Sequence, residues 1–181
     1  VPSSYLVSQG QSDMDFVSGY DEGLQMGIVT VADHQISPGK KMWHWGKGDF
    51  GDMWCSNLTD KNGPYIELMT GVYTDNQPDF TWIAPYESRE FEQFWYPVRD
   101  IGIVKNATID AAMNMEQRNG DLFFGFNVTG KFDNSKITVK NKDEVIFTET
   151  RDMVPNESYL KTIPLNGAEF NDITVSLEDH D

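Results

Sequence analysis

The chain has 181 residues, 39% of them hydrophobic and 13% aromatic, enough for one large β domain or two small ones with a sizeable core. Lys and Arg number 14 against 29 Asp and Glu, a formal charge of -15 that repels phosphate backbones and anionic lipid, so nucleic-acid and membrane partners are not expected. With Cys55 as the only cysteine no internal disulfide can form, no run approaches the roughly 20 apolar residues of a membrane helix, and none reads as a signal peptide.

Residues 1–15 are polar and lack a clear period. Phe16 to His34 alternates weakly, and Met26 to Ala32 reads as a buried strand bounded by glycine. Ser37-Pro38-Gly39 is a turn signal, followed by a short aromatic strand, Met42 to Trp45, and a loop with three glycines, Gly46 to Asp52. Asp60 to Pro64 is a second turn. Tyr65 to Tyr73 carries apolar residues at alternate positions and predicts a strand; Thr74 to Asp79 is a polar loop; Trp82-Ile83 runs into a turn at Pro85. Glu90 to Tyr96 alternates partly, with aromatic rings on both faces. Pro97 to Lys105 reads as a boundary, giving domains of residues 1–98 and 99–181. Beyond it come short alternating strands at Thr108–Met115, Leu122–Val128, Lys136–Val139, Val145–Glu149, Tyr159–Ile163 and Ile173–Leu177, the spacing of a small antiparallel sandwich. The chain is predicted to be nearly all-β, in two parts.

All five tryptophans fall between Gly39 and Val98, among Gly, Asp and Asn. Indole stacks on the apolar face of a pyranose while short polar groups meet its hydroxyls, so rings beside acids in glycine-rich loops suit a sugar; the same rings also suit a core. The predicted ligand-binding residues are Trp43, Trp45, Trp82, Asp75 and Asn76. Glu67, inside the Tyr65–Tyr73 strand, either faces solvent or lines a pocket, where burial would make it a usable base. His34 beside Asp33 is either an acid or a structural histidine, and His44 lies between two tryptophans. The three histidines form no zinc motif, Gly46-Lys47-Gly48 lacks the context of a phosphate loop, and Cys55 lacks the flanks of a nucleophile, so no metal and no cofactor is expected. Asn57, Asn106, Asn127 and Asn156 each open an Asn-x-Ser/Thr triplet, but no glycosylation is predicted from them.

The strings DFVSGYD from Asp15, GIVTVADHQISPGKKMWHWG, NLTDKNGPYIELMTGVYTDNQPDF and WIAPYESREFEQFWYPV resemble a bacterial domain that precedes tetratricopeptide repeats and is similar to the aldose 1-epimerase (galactose mutarotase) family. The resemblance covers roughly residues 1–98. It implies part of a mutarotase-like β-supersandwich whose concave face binds carbohydrate, followed by a small immunoglobulin-like sandwich. It also implies that the half of the fold carrying the mutarotase acid histidine is missing. The exposed sheet edges would then be covered by that missing half or by a homo-oligomer.

The expected function is saccharide binding without catalysis by this chain. Two alternatives stand beside it. One is a mutarotase-like or glycoside-processing enzyme with Glu67 as general base and His34 as acid. The other is an interaction or scaffold module of a longer repeat-containing protein. The compartment, cytoplasmic or periplasmic, stays open.

Overall fold

The computed structural model describes residues 4–7 (backbone only), 12–74 and 79–179. In chain order the strands are β1 (Ser4–Val7), β2 (Phe16–Asp21), β3 (Met26–Val31), β4 (Lys41–His44), β5 (Ile66–Met69) and β6 (Phe94–Arg99), with helix α1 (Asp49–Leu58) between β4 and β5. They continue with β7 (Asn106–Ala107), β8 (Ala111–Arg118), β9 (Asp121–Val128), β10 (Phe132–Asn141), β11 (Glu144–Met153), β12 (Tyr159–Pro164) and β13 (Ile173–Glu178). Strands far outweigh helix among the described residues, so the protein is all-β, as its alternation predicts. The sheets run β1-β4-β5, β2-β3-β6, β12-β9-β8-β7 and β11-β10-β13. Two compact units result: Val1–Ser18 with Thr30–Trp95, and Gly19–Val29 with Tyr96–Asp181.

In the first unit β4 is the central strand, antiparallel to both β1 and β5. The predicted Tyr65–Tyr73 strand is real but shorter, stopping at Met69. The predicted Gly46–Asp52 loop is corrected: from Asp49 the chain turns into α1. Asp49 and Asp52 sit in its first turn, where carboxylates favour the positive end of the helix dipole. Phe50, Met53, Trp54 and Leu58 recur at helical spacing, a pattern masked by the flanking glycines. Gly51 is required here, because a Cβ would lie 2.5 Å from the Gly46 carbonyl oxygen; α1 packs that closely on the chain leaving β4. The predicted Glu90–Tyr96 strand begins later than expected, at Phe94.

The second unit contains a two-sheet sandwich. Leu122, Phe124, Phe126 and Val128 alternate along β9 and face Ile137 and Val139 of β10, with Met153, Tyr159, Leu165 and Ile173 completing the buried cluster. Phe124 is its centre, in ring contact with Phe126, Phe147 and Tyr159 at centroid separations of 5.9 to 6.4 Å. The opposite face of the β9–β8 pair is covered by the chain after β6. There the Asn127 amide accepts from the Arg99 N–H at 2.8 Å and donates to Ser158 Oγ at 2.9 Å, while Ser158 Oγ donates to the Arg99 carbonyl. Asn114, fully buried, donates to the Ile101 carbonyl at 2.8 Å. Gly102 adopts φ +85, and a Cβ there would lie 2.7 Å from the Asn114 amide nitrogen, so only glycine fits.

Phe124→Ala removes the ring every sheet of this core touches and is expected to cost about 3–5 kcal/mol. Denaturant unfolding followed by far-UV circular dichroism measures it.

Candidate functional site

The tryptophans divide into separate groups. Trp45, just past the end of β4, stacks on Trp54 of α1 with centroids 4.7 Å apart and planes inclined 14°. Trp43 tilts against Trp45, also at 4.7 Å, and Phe50 meets both Trp45 and Trp54 edge-on. One face of Trp45 is therefore used by the helix. Trp54 carries a cost of its own, since its indole N–H is buried without an acceptor among the described residues.

Beside this stack lies a hollow of about 740 Å³. Its lining includes His44 and Trp45, Asp52 and Cys55 of α1, then Asp60, Lys61 and Tyr65 from the loop leading into β5. Bonds between side chains and backbone tie this stretch together: the Tyr65 N–H donates to Cys55 Sγ at 3.3 Å, and Thr59 Oγ1 donates to the Cys55 and Gly63 carbonyls. The Gly46 N–H donates to His44 Nδ1 at 3.0 Å, so the proton of the neutral ring sits on Nε2. An aromatic wall facing short acids, an ammonium group and a hydroxyl can hold a polyhydroxylated ring of that size.

Of the residues predicted to bind ligand, Trp45 lines this hollow, while Trp43 packs against Trp45 and is not part of the lining. Glu67 pairs in register with Trp43, which puts both on one face of the sheet, whereas His44 and its partner Ile66 project to the other. Glu67 is half-buried beside the Trp43 strand and outside the hollow, so the predicted pairing of Glu67 with a histidine is not formed around it. Trp82 is elsewhere, edge-on to Phe80 at 5.3 Å and largely exposed. Asp75 and Asn76 lie outside the described residues. Sequence reasoning missed Asp52, Asp60, Lys61 and Tyr65; recognising α1 would have shown that Asp52 and Cys55 share a helix side near Trp45.

His34 belongs to a second cluster. Asp15 Oδ1 accepts from the His34 backbone N–H at 2.9 Å and lies 2.7 Å from His34 Nδ1. Those two contacts, the backbone one foremost, hold the Asp15 carboxyl below the usual carboxylate range. Asp15, Asp33 and His34 offer ligand atoms within 4.8 Å of one another, a donor set that wide sequence spacing conceals. Lys40, 4% exposed, already supplies positive charge nearby: its ammonium group donates to the Ser37 carbonyl at 3.1 Å, and burial pushes its pKa down against the pull of Asp15 and Asp33. Among the described residues no helix is long and apolar enough to cross a membrane.

The antiparallel sheets define an all-β protein with a hollow beside Trp45 in its first unit. Residues 3–98, more than half of the chain, match the family described as Domain of unknown function (DUF5107), and the protein belongs to that family. Residues 106–181 match a second family model, the second domain of YphG-like protein. Neither description carries a mutarotase or a tetratricopeptide repeat. No solved structure matches the chain.

Asp15 gives a pH test. A carboxyl whose folded pKa is depressed adds stability above its unfolded value of about 3.9 and loses it as pH falls through the folded one. Asp15→Asn should therefore lower stability at pH 6 by roughly 0.5 kcal/mol, a small figure because the pair is half exposed. The gap from wild type should close as the pH approaches 2, read from urea midpoints.

Proposed function

We propose that the first unit binds a saccharide in the hollow beside Trp45, without catalysis by this chain. The observation that carries the reading is that an indole held rigid by Trp54 and Trp43 fronts a cavity of sugar size. Asp52, Asp60, Lys61 and Tyr65 supply acceptors and donors around the same space. Rigid aromatic walls with few orienting polar groups give orientation and modest affinity. The division of labour proposed is residues 1–98 for binding and residues 99–181 as a supporting β-sandwich; the two family matches stop and restart on either side of residues 99–105, which supports it. The mutarotase-like alternative needs an acid and a base on one substrate. Glu67 and His44 project to opposite faces of their sheet, and His34 is bonded to Asp15, so no observation favours it.

Ring stacking contributes about 0.5–1.5 kcal/mol beyond area burial, roughly a 2- to 12-fold factor, and the proposal expects weak binding overall, with a dissociation constant between roughly 1 µM and 1 mM. Calorimetric titration with a panel of neutral, acidic and amino sugars and their short oligomers should find such a ligand. Trp45→Ala should weaken it about 2- to 12-fold, and Glu67→Gln should leave it unchanged. A panel in which nothing binds, or binding indifferent to Trp45→Ala, removes the proposal.

A further inference from the structure

The second unit holds a cleft of its own, about 600 Å³, between its two sheets. β8 and β9 give Met113, Phe126 and Val128 to one wall, and β10 and β13 give Phe132, Val175 and Leu177 to the other. Phe126 and Val128 are buried, so the deepest part is apolar. Ala111 accounts for the space. It faces the core opposite Val128 in register, and its methyl leaves open what a larger side chain would fill.

The two edges of the sandwich differ. Between β11 and β12 it is laced shut: Glu149 accepts from Tyr159 Oη and from Lys161 Nζ, each at 3.1 Å, and the Lys161 ammonium lies 5.1 Å from the Phe147 ring. The cleft lies at the other edge, between β13 and β7. There β7 is two residues long and pairs only with Ala112 and Met113 of β8. Exposed Asn106, Thr108, Asp110 and Asp179 form the mouth.

That mouth carries charge of one sign. Among the described residues Asp110 and Asp179 line the cleft and no Lys, Arg or His does. Asp110 makes no ion pair among the described residues. The turn that bears it is held firmly: Tyr96 Oη donates to the Thr108 and Ala111 carbonyls at 2.7 and 3.1 Å, and Thr129 Oγ1 donates to the Ile109 carbonyl at 2.8 Å. The Asp110 N–H donates to Thr108 Oγ1 at 3.2 Å. A carboxylate fixed at the lip of an apolar space selects a guest by its charge and its oily body together.

We propose that this cleft binds a small primary amine, its apolar body between Met113 and Leu177 and its ammonium group beside Asp110. About 600 Å³ is an ordinary size for a small-molecule site. An anionic guest is disfavoured by both aspartates and by the chain's charge of -15. A neutral guest fills the same walls but leaves Asp110 unused. The expected order is therefore amine above alcohol and alcohol above acid.

The test is an NMR titration of the full chain at neutral pH with the n-alkylamines from propyl to hexyl, read at the amides of residues 106–113 and 175–179. Affinity should rise about fourfold per methylene, the factor for burying one CH2. Hexylamine should bind more tightly than hexanol, and hexanol more tightly than hexanoate. Asp110→Asn should weaken hexylamine about 2- to 5-fold, a modest factor because the carboxylate is exposed, and leave hexanol unchanged. Ala111→Trp fills the cleft and should abolish the response, with the melting temperature checking that the fold is kept; if it is lost, Asp110→Asn decides. Amides that no amine shifts overturn the proposal. So does an affinity indifferent to chain length, which marks diffuse attraction to an acidic surface. Hexanoate matching hexylamine, or hexylamine indifferent to Asp110→Asn, overturns it too. Trp45→Ala changes the first unit and should leave amine binding intact, so the two sites are tested separately.

Discussion

The stack of Trp45 on Trp54 is the constraint on which the first unit's site depends. It fastens α1 to the end of β4 with the two ring planes nearly parallel. Glycines at both edges permit it: Gly51 lets the helix backbone approach Gly46, and Gly46 and Gly48 take positive φ in the short link. The hollow is the space left between that fastened helix and the loop returning to β5. Its walls thus come from one continuous stretch, residues 44–66, which that aromatic contact helps fold back on itself, and the indole N–H of Trp54, without an acceptor among the described residues, is a cost accepted for that contact.

Much of the second unit could be read from alternation alone, because a half-buried strand writes its buried face into every other residue. Tyr159, Lys161 and Ile163 of β12, alternating with exposed Leu160 and Thr162, are the clearest case. The first unit was harder. The helix at Asp49–Leu58 is bracketed by glycines and rich in aromatics, so local composition argues loop or strand while the apolar spacing argues helix, and packing on Trp45 decides. The site shows the same split. That tryptophan would stand beside acids was legible; which acids was not, because Asp52, Asp60 and Lys61 reach the hollow only once α1 exists. Glu67 does not line this hollow, and the register goes with that: opposite Trp43, it shares a face with that ring and not with His44.

Polar groups, as well as rings, hold this protein together. In the second unit Asn127 and Ser158 close a circuit of hydrogen bonds around Arg99, and Asn114 fixes Ile101 with Gly102 making room. Breaking one member would leave its partners buried and unpaired, costlier than the net value of any single bond. Asn127 is 3% exposed with its amide committed on both sides, so its Asn-x-Thr triplet is structural.

The thiol of Cys55 has a practical consequence. It is the only sulfhydryl in the molecule, it lines the hollow one residue after Trp54, and it is half-buried rather than sealed. Any reagent that alkylates it enters the same space a guest would fill. The rate of its modification would therefore report whether that space is filled, with no second thiol in the sequence to confuse the signal.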